Sequence, residues 1–345
     1  MSPRTSMACL TFGLLLGAFE PPAHAADVVY VNCNKNQTIA KALSQNAPQL
    51  IIEIRGLCHE RVLIRRSGVT LRGADPAVDG IVGPVGPNLG LVEVGGADIF
   101  HGCCAAEDTE WAVLLENLSL KANDGWGLIT SNSNVQLKNC WLADNGFNGA
   151  HVSGAGAAHF IDTHFERNGA TGLSVNRASQ VICERCTFDD NGAFAVSVNN
   201  SAIAFLADSS ITGTDGVNAN QEGRVNGTNT LINASDRAFN AIRGTIEWSG
   251  SSFGGRIQAA RKSSMWLTDT AQTSSPGDND IRGQVTLQLR GSTLLGTTRL
   301  ALFSNGQVFP GLGPAALGDL ACETGSDLFC DSSTSKASSS CGLCP

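Results

Sequence analysis

The chain has 345 residues, with 23 Lys or Arg against 31 Asp or Glu and a net charge of −8. An acidic chain without a basic cluster makes a poor nucleic-acid binder, because phosphate contacts need concentrated Lys and Arg. Its 39 glycines and 3 methionines argue against a helical bundle, and the length admits one or two domains.

Residues 1–25 read as a secretory signal peptide. Arg4 supplies the basic start, Leu10 to Phe19 the apolar stretch, and Ala23-His24-Ala25 the small-residue cleavage site. That stretch is too short to span a bilayer comfortably, and no later one is long and uncharged enough. The expectation is export, to the periplasm or outside the cell, with the mature chain starting near Ala26. The 12 cysteines suit an oxidising compartment. Cys9 leaves with the signal, so an odd number remains and at least one is unpaired or pairs outside the chain. Cys33 and Cys58 are expected to bridge, and Cys322, Cys330, Cys341 and Cys344 to pair among themselves. Cys103-Cys104 and the tail cysteines lack a histidine at finger-like spacing, which argues against zinc.

Taken in chain order, Thr38 to Gln45 places Ile39, Ala42 and Leu43 on one helical face, predicting a short amphipathic cap. Val62-Leu63-Ile64 and Val69-Thr70-Leu71 read as strands. Segment 76–110, rich in Gly and Pro, reads as a loop excursion. A motif ending in Asn-Gly or Asn-Asp-Gly then recurs, with its asparagines at 123, 145, 168 and 191. A nearly fixed period in the low twenties signals one supersecondary unit stacked on copies of itself.

Aligning the repeats on their asparagines gives an apolar column of Leu120, Leu142, Phe165, Phe188 and Ile211. A second column holds Ile129, His151, Ser174 and Ser197, with apolar neighbours alternating around it as in a strand with one buried face. Third strands fall at Val135 to Leu137, Ala158 to Phe160, Val181 to Cys183 and Ala204 to Leu206. Cys183-x-x-Cys186 has redox-motif spacing, but the repeat gives it a strand position instead.

Three short strands per repeat describe an all-β, single-stranded right-handed parallel β-helix of about 10 coils, occupying 26–310. The asparagines are expected at its corners, where a left-handed backbone conformation is tolerated and amides bond the coils above and below. The rhythm continues through Thr245 to Trp248, Met265 to Leu267, Val285 to Leu289 and Leu300 to Phe303. Segment 268–282 reads as a second loop excursion, and the Ser- and Cys-rich tail, 311–345, as the far cap. The unbroken repeat implies one long domain acting as a monomer.

These residues resemble the secreted right-handed β-helix proteins of the pectin-lyase-like superfamily over roughly residues 27–306. The similarity lies in Val31-Asn32-Cys33, in Gly56-Leu57-Cys58 through Ile64, in Val69 to Gly73, and in the Asn-Gly-x-x-Gly-Leu-x-Val segment at 168–175. The superfamily includes lyases, hydrolases, epimerases and esterases acting on acidic polysaccharides, and members without known activity. The resemblance therefore implies a polysaccharide or cell-surface glycan as partner. It transfers no catalytic residue, since a fold hosting several chemistries licenses none of them. Of the polygalacturonase-like motifs only Asp189-Asp190 is present, and Arg256-Ile257-Gln258 carries Gln where Lys is required. Asp75-Pro76-Ala77-Val78-Asp79 does not match the epimerase motif.

Stacking still brings side chains together, because equivalent positions in neighbouring coils lie about 4.8 Å apart. Asp144, Arg167 and Asp190 form one charged column, with Glu166 and Asp189 adjacent. These carboxylates could cleave a glycosidic bond or hold Ca²⁺ against a uronate, or be a solvated charge ladder beside a turn. His151 could act as a base beside that cluster. Ser174, Asn176, Ser197 and Asn199 would extend a sugar-binding strip, and Trp141 with His164 a stacking platform. Two functions follow: a lyase or hydrolase acting on a glycan, or a non-catalytic glycan-binding surface scaffold.

Overall fold

The computed structural model describes residues 26–87, 89–95, 112–301, 307–310, 315–317, 320–322 and 334–336. The expected signal peptide, Cys103-Cys104, Cys330, Cys341 and Cys344 lie outside these residues.

Each coil contributes one strand to each of three parallel sheets. Sheet I includes Asn134–Lys138, Ala157–Ile161, Gln180–Glu184 and Ile203–Ala207 in continuous register. Sheet II includes Trp141–Ala143, His164–Glu166 and Thr187–Asp189. Sheet III includes Ala150–Ser153, Leu173–Val175 and Phe194–Asn199. The periodic columns of the sequence are columns in space: Leu142, Phe165, Phe188 and Ile211 are register partners, each almost wholly buried. Within that column the rings of Phe165 and Phe188 stack at 4.7 Å and 5°. Alternate residues along strands such as Asn134–Lys138 and Gln180–Glu184 supply this core, and a coil buries its apolar face only against the next one.

The solenoid has about 12 turns rather than ten. The two expected loop excursions explain the difference. Gly80–Gly83 and Gly90–Val94 are strands of sheets II and III, not part of a loop. Glycine is required there by close packing, since a side chain at Gly80 would sit 2.2 Å from Ser119 Oγ. The second segment is likewise coil: Ser263–Ser274 and Asn279–Arg282 are strands. Three of its polar residues, Thr270, Gln272 and Asn279, are buried: Asn279 Oδ1 accepts from Ile257 N at 2.9 Å and Gln272 Nε2 donates to Gly255 O at 2.7 Å.

The corner asparagines behave differently from expectation in one respect. Asn145, Asn168 and Asn191 are buried and piled in a row, but the left-handed backbone belongs to the residues before them: Asp144, Arg167 and Asp190. Asn123 is exposed and outside the row. A second row, of hydroxyls and thiols, lines the corner between sheets I and II. Cys186 N donates to Ser209 Oγ at 3.1 Å, Ser209 N to Thr230 Oγ1 at 3.4 Å and Thr230 N to Ser251 Oγ at 3.0 Å. Each hydroxyl donates in turn to the carbonyl two residues earlier, as Ser251 does to Ser249 O at 2.7 Å. Cys140 and Cys186 occupy this row, and with Cys183 they are buried free thiols.

At the N-terminal end a helix spans Ile39–Leu43, burying Ile39 and Ala42 as predicted. Glu60 accepts from the helix amides of Ile39 (2.6 Å) and Ala40 (3.0 Å), satisfying donors no helical carbonyl can reach. The Cys33–Cys58 disulfide joins this cap to the first coil. Asp79 takes the Gly56 amide at 2.7 Å and the Ala74 amide at 2.8 Å, a structural role for the carboxylate. At the other end, Gln307–Pro310 and Leu320–Cys322 still pair with sheets I and III, and Ala315–Leu317 pairs with Thr334–Lys336.

Candidate functional site

The residues proposed from sequence divide over three surfaces. On sheet II, Trp141 pairs in register with His164, and Glu166 with Asp189. The two rings meet edge-on, 6.1 Å apart at 74°, so they form no flat platform. At the neighbouring corner Arg167 donates to both Asp144 oxygens, at 2.8 and 3.2 Å, and also meets Glu166. Lys121 reaches Asp144 at 3.2 Å. The Arg167 guanidinium holds the Asp144 carboxyl below its ordinary pKa, and Asp144 raises that of Arg167. Asp189 and Asp190 act on Arg167 only through their fields. A carboxylate fixed in its charged form is a poor proton donor, and an arginine so paired is no base. Asp144 is 42% exposed and Arg167 51%, so water screens the pair. Among the described residues no three His, Cys, Asp or Glu side chains converge as metal ligands.

Sheet III carries the third group. His151, Ser174 and Ser197 are register partners in one outward row. Ser174 Oγ lies 3.3 Å from His151 Nδ1, and Asn176 and Asn199 donate to Ser174 and Ser197 at 2.9 and 3.1 Å. The His151 ring packs 4.8 Å from that of Trp126. Burial, helped by the charge of Arg177, pushes the imidazole pKa down to about 4, so the ring is neutral at neutral pH. His151 lies on sheet III, whereas Asp144 and Arg167 lie at the corner after sheet II, and no hydrogen bond or ion pair among the described residues joins them.

The row continues beyond the sequence candidates. Ser197 pairs with Asn218, Asn218 with Asn240, Asn240 with Gln258 and Gln258 with Asp280. Asn240 Nδ2 donates to Asn218 Oδ1 at 2.7 Å, and Asn218 Nδ2 to Ser197 Oγ at 2.9 Å. Four buried polar atoms on these strands have no partner among the described residues: Trp126 Nε1, Ser153 Oγ, Asn220 Oδ1 and Asn240 Oδ1. Beside the row Arg237 grips Asp215 through bonds of 2.8 and 2.7 Å and lies 5.0 Å over the Phe194 ring. Its Nη1 reaches Gln258 Oε1 at 3.5 Å, while Arg256 holds Asp236 at 2.7 Å. Asp215 is only 10% exposed, so this pair is far better shielded than Asp144–Arg167.

Sequence reasoning missed Asn218, Asn240 and Arg237 because the Asn-Gly marker stops at Asn191, and it missed Trp126 because that ring opens its strand one position out of step with the polar column. A signal was present: Ser197-Val198-Asn199 is echoed by Asn218-Ala219-Asn220 and then by Asn240-Ala241. Together the row offers hydroxyls, amides and one neutral imidazole at intervals of about 4.8 Å, flanked by guanidinium groups. Such spacing suits a polyhydroxylated polymer lying along the solenoid axis.

A model of the right-handed β-helix region matches residues 96–236. No curated protein matches the sequence. Among solved structures, the chain is similar to the PL6 family alginate lyase AlyGC, at 11% identity and a TM-score of 0.50, over 91% of this chain and 53% of the lyase. It is also similar to the pectate lyase Pel9A, at 12% identity and a TM-score of 0.42, over 90% and 78% of the two chains. Pectin methylesterase PemA from Erwinia chrysanthemi gives 10% identity and 0.43, over 71% and 82%. The chain thus has a right-handed parallel β-helix fold, the architecture that the matching model describes over residues 96–236.

Proposed function

We propose that this protein is an exported glycan-binding β-helix that holds a polysaccharide along sheet III, between Trp126 and Arg256. The observation carrying this reading is the unbroken row His151, Ser174, Ser197, Asn218, Asn240, Gln258, with a buried acceptor at Asn240 and a buried donor at Trp126 that have no partner among the described residues. Buried polar atoms are costly unless something completes their bonding, and sugar hydroxyls can do so as donor or acceptor. Arg237, paired with Asp215 through Nε and Nη2, keeps Nη1 at Gln258 of the row, where it can also meet a carboxylate of the polymer. The fold likeness to an enzyme named as an alginate lyase agrees with such a partner.

A second reading is elimination, with His151, unprotonated at neutral pH and beside Ser174 in the row, as the group that takes the proton, although burial makes it a weak base. One experiment addresses both. The purified protein is titrated against a panel of uronans and neutral glycans while absorbance of an unsaturated product is followed. Binding of at least one uronan is expected, weakened about tenfold in Asn240→Leu, the loss of roughly one charge-free hydrogen bond network position. Arg167→Gln should leave binding unchanged. No binding across the panel, or equal losses in the two variants, removes the sheet III assignment. Product absorbance that vanishes in His151→Gln establishes the elimination reading over simple binding.

A further inference from the structure

Sheet I faces away from the row just described and carries its own outward line of side chains. Phe205, Asn226, Glu247, Trp266 and Gln288 are successive register partners, one per coil. Two residues along the same strands run Thr228, Ser249, Thr268 and Arg290. Between these lines lies a shallow depression of about 370 Å³ whose walls include Asn226, Glu247, Trp266, Thr268, Gln288 and Arg290.

Three features of this depression point to a ligand. The Trp266 indole is 38% exposed, although burying so large a ring is ordinarily favourable. Asn226, Thr228, Ser249 and Thr268 line the same depression, and the immediate neighbours of Trp266 along the row are Glu247 and Gln288. The charges are unbalanced: Glu247 Oε1 is already taken by Arg224 Nη2 at 2.5 Å, whereas Arg290 has no carboxylate partner among the described residues. Arg290 sits one coil on from Thr268 and thus diagonal to Trp266, about 7–8 Å away between side-chain bases. That separation accommodates one six-membered ring lying on the indole with an anionic substituent at its edge.

We propose that this depression is a second saccharide subsite, separate from sheet III, that takes a uronate residue. The apolar face of the sugar stacks on Trp266, its carboxylate pairs with Arg290, and Asn226, Gln288 and the free Glu247 oxygen bond its hydroxyls. Arginine suits this task because its planar fork matches a carboxylate bidentately and stays charged at any working pH. The assignment does not depend on sheet III, since no residue is shared.

The test is a footprint. Oxidation of Trp266 by N-bromosuccinimide is followed by peptide mass mapping, with and without trimers of galacturonate, glucuronate and mannuronate, and with their methyl esters. At least one acid trimer should slow oxidation at Trp266 severalfold while its ester does not. Arg290→Gln should weaken that protection about tenfold, the scale of a lost charge-assisted bond, with an unchanged melting temperature showing that the variant is folded. Asn240→Leu should leave it intact, which separates this site from sheet III. Unprotected Trp266 with every trimer, equal protection by acids and esters, or undiminished protection in Arg290→Gln would each overturn the proposal.

Discussion

Asn145 Nδ2 donates to Asn168 Oδ1 at 2.8 Å, and Asn168 repeats the bond to Asn191 at the same distance. Each of these amides also donates to a carbonyl of the preceding coil, Asn168 to Leu142 O at 3.0 Å. Replacing Asn168 with Ala therefore strands several buried groups at once. We expect a loss of about 3 kcal/mol, the cost of one or two unsatisfied buried polar groups. Chemical denaturation of wild type and variant measures it, and a shift in midpoint too small to resolve would remove the stabilising role of the row.

Two ion pairs at coil corners should differ in worth. Asp144→Asn, at an exposed corner, should change stability by no more than about 0.5 kcal/mol and less in high salt. Asp215→Asn leaves Arg237 shielded and without its bidentate partner, for an expected loss of about 2 kcal/mol. Thermal melts at low and high salt compare them directly.

His151 makes stability depend on pH. Its folded pKa of about 4 lies below the ordinary 6.5, so below pH 6.5 the unfolded chain binds a proton that the folded chain refuses. The contribution is whole above 6.5 and is lost as the pH falls toward 4, by up to about 3 kcal/mol. In His151→Gln the fall in melting temperature over that window should be shallower than in wild type. Parallel curves for the two proteins would contradict the assignment.

Gly227 and Trp248 are partners in register on sheet I, and a side-chain carbon at 227 would lie 2.3 Å from the indole ring. Gly227→Ala should cost about 1–3 kcal/mol through overpacking. Gly227→Ala with Trp248→Leu should recover part of the loss relative to Trp248→Leu alone, which a double-mutant cycle by denaturation reads out.

Burial pushes the Cys140 thiol up to about 12 and raises Cys183 as well. Thiols so poorly ionised react slowly. Iodoacetamide at pH 8 should leave the peptides holding Cys140, Cys183 and Cys186 unmodified in the native protein and modify all three after denaturation. Rapid native labelling of any one would show that its coil opens.

The architecture was legible in the sequence because burial and register repeat together: Phe165 above Phe188 is both a spacing and a contact. What escaped was set by how coils meet rather than by composition. Gly80 looked like loop because glycine is common in loops, yet it is there to admit Ser119. Thr270, Gln272 and Asn279 looked solvent-facing because they are polar, yet they bond inside the coil. The candidate site was half visible for the same reason. His151, Ser174 and Ser197 follow the regular period, whereas Asn218, Asn240 and Arg237 sit in coils whose strands run through the corners as single long elements, Ser210–Asn220 and Leu231–Ile242.

The corners between sheets III and I put Arg177, Gln221 and Arg261 at φ of 55°, 49° and 57°. Branched and long side chains strain there by about 1–2 kcal/mol each, while asparagine fits more easily. These three positions stand two coils apart, far enough for their effects to sum. Asparagine at one, two and then all three should raise the melting temperature in even steps, giving a scaffold whose heat tolerance can be set rung by rung, with the Arg177 change also lifting a charge from the His151 ring.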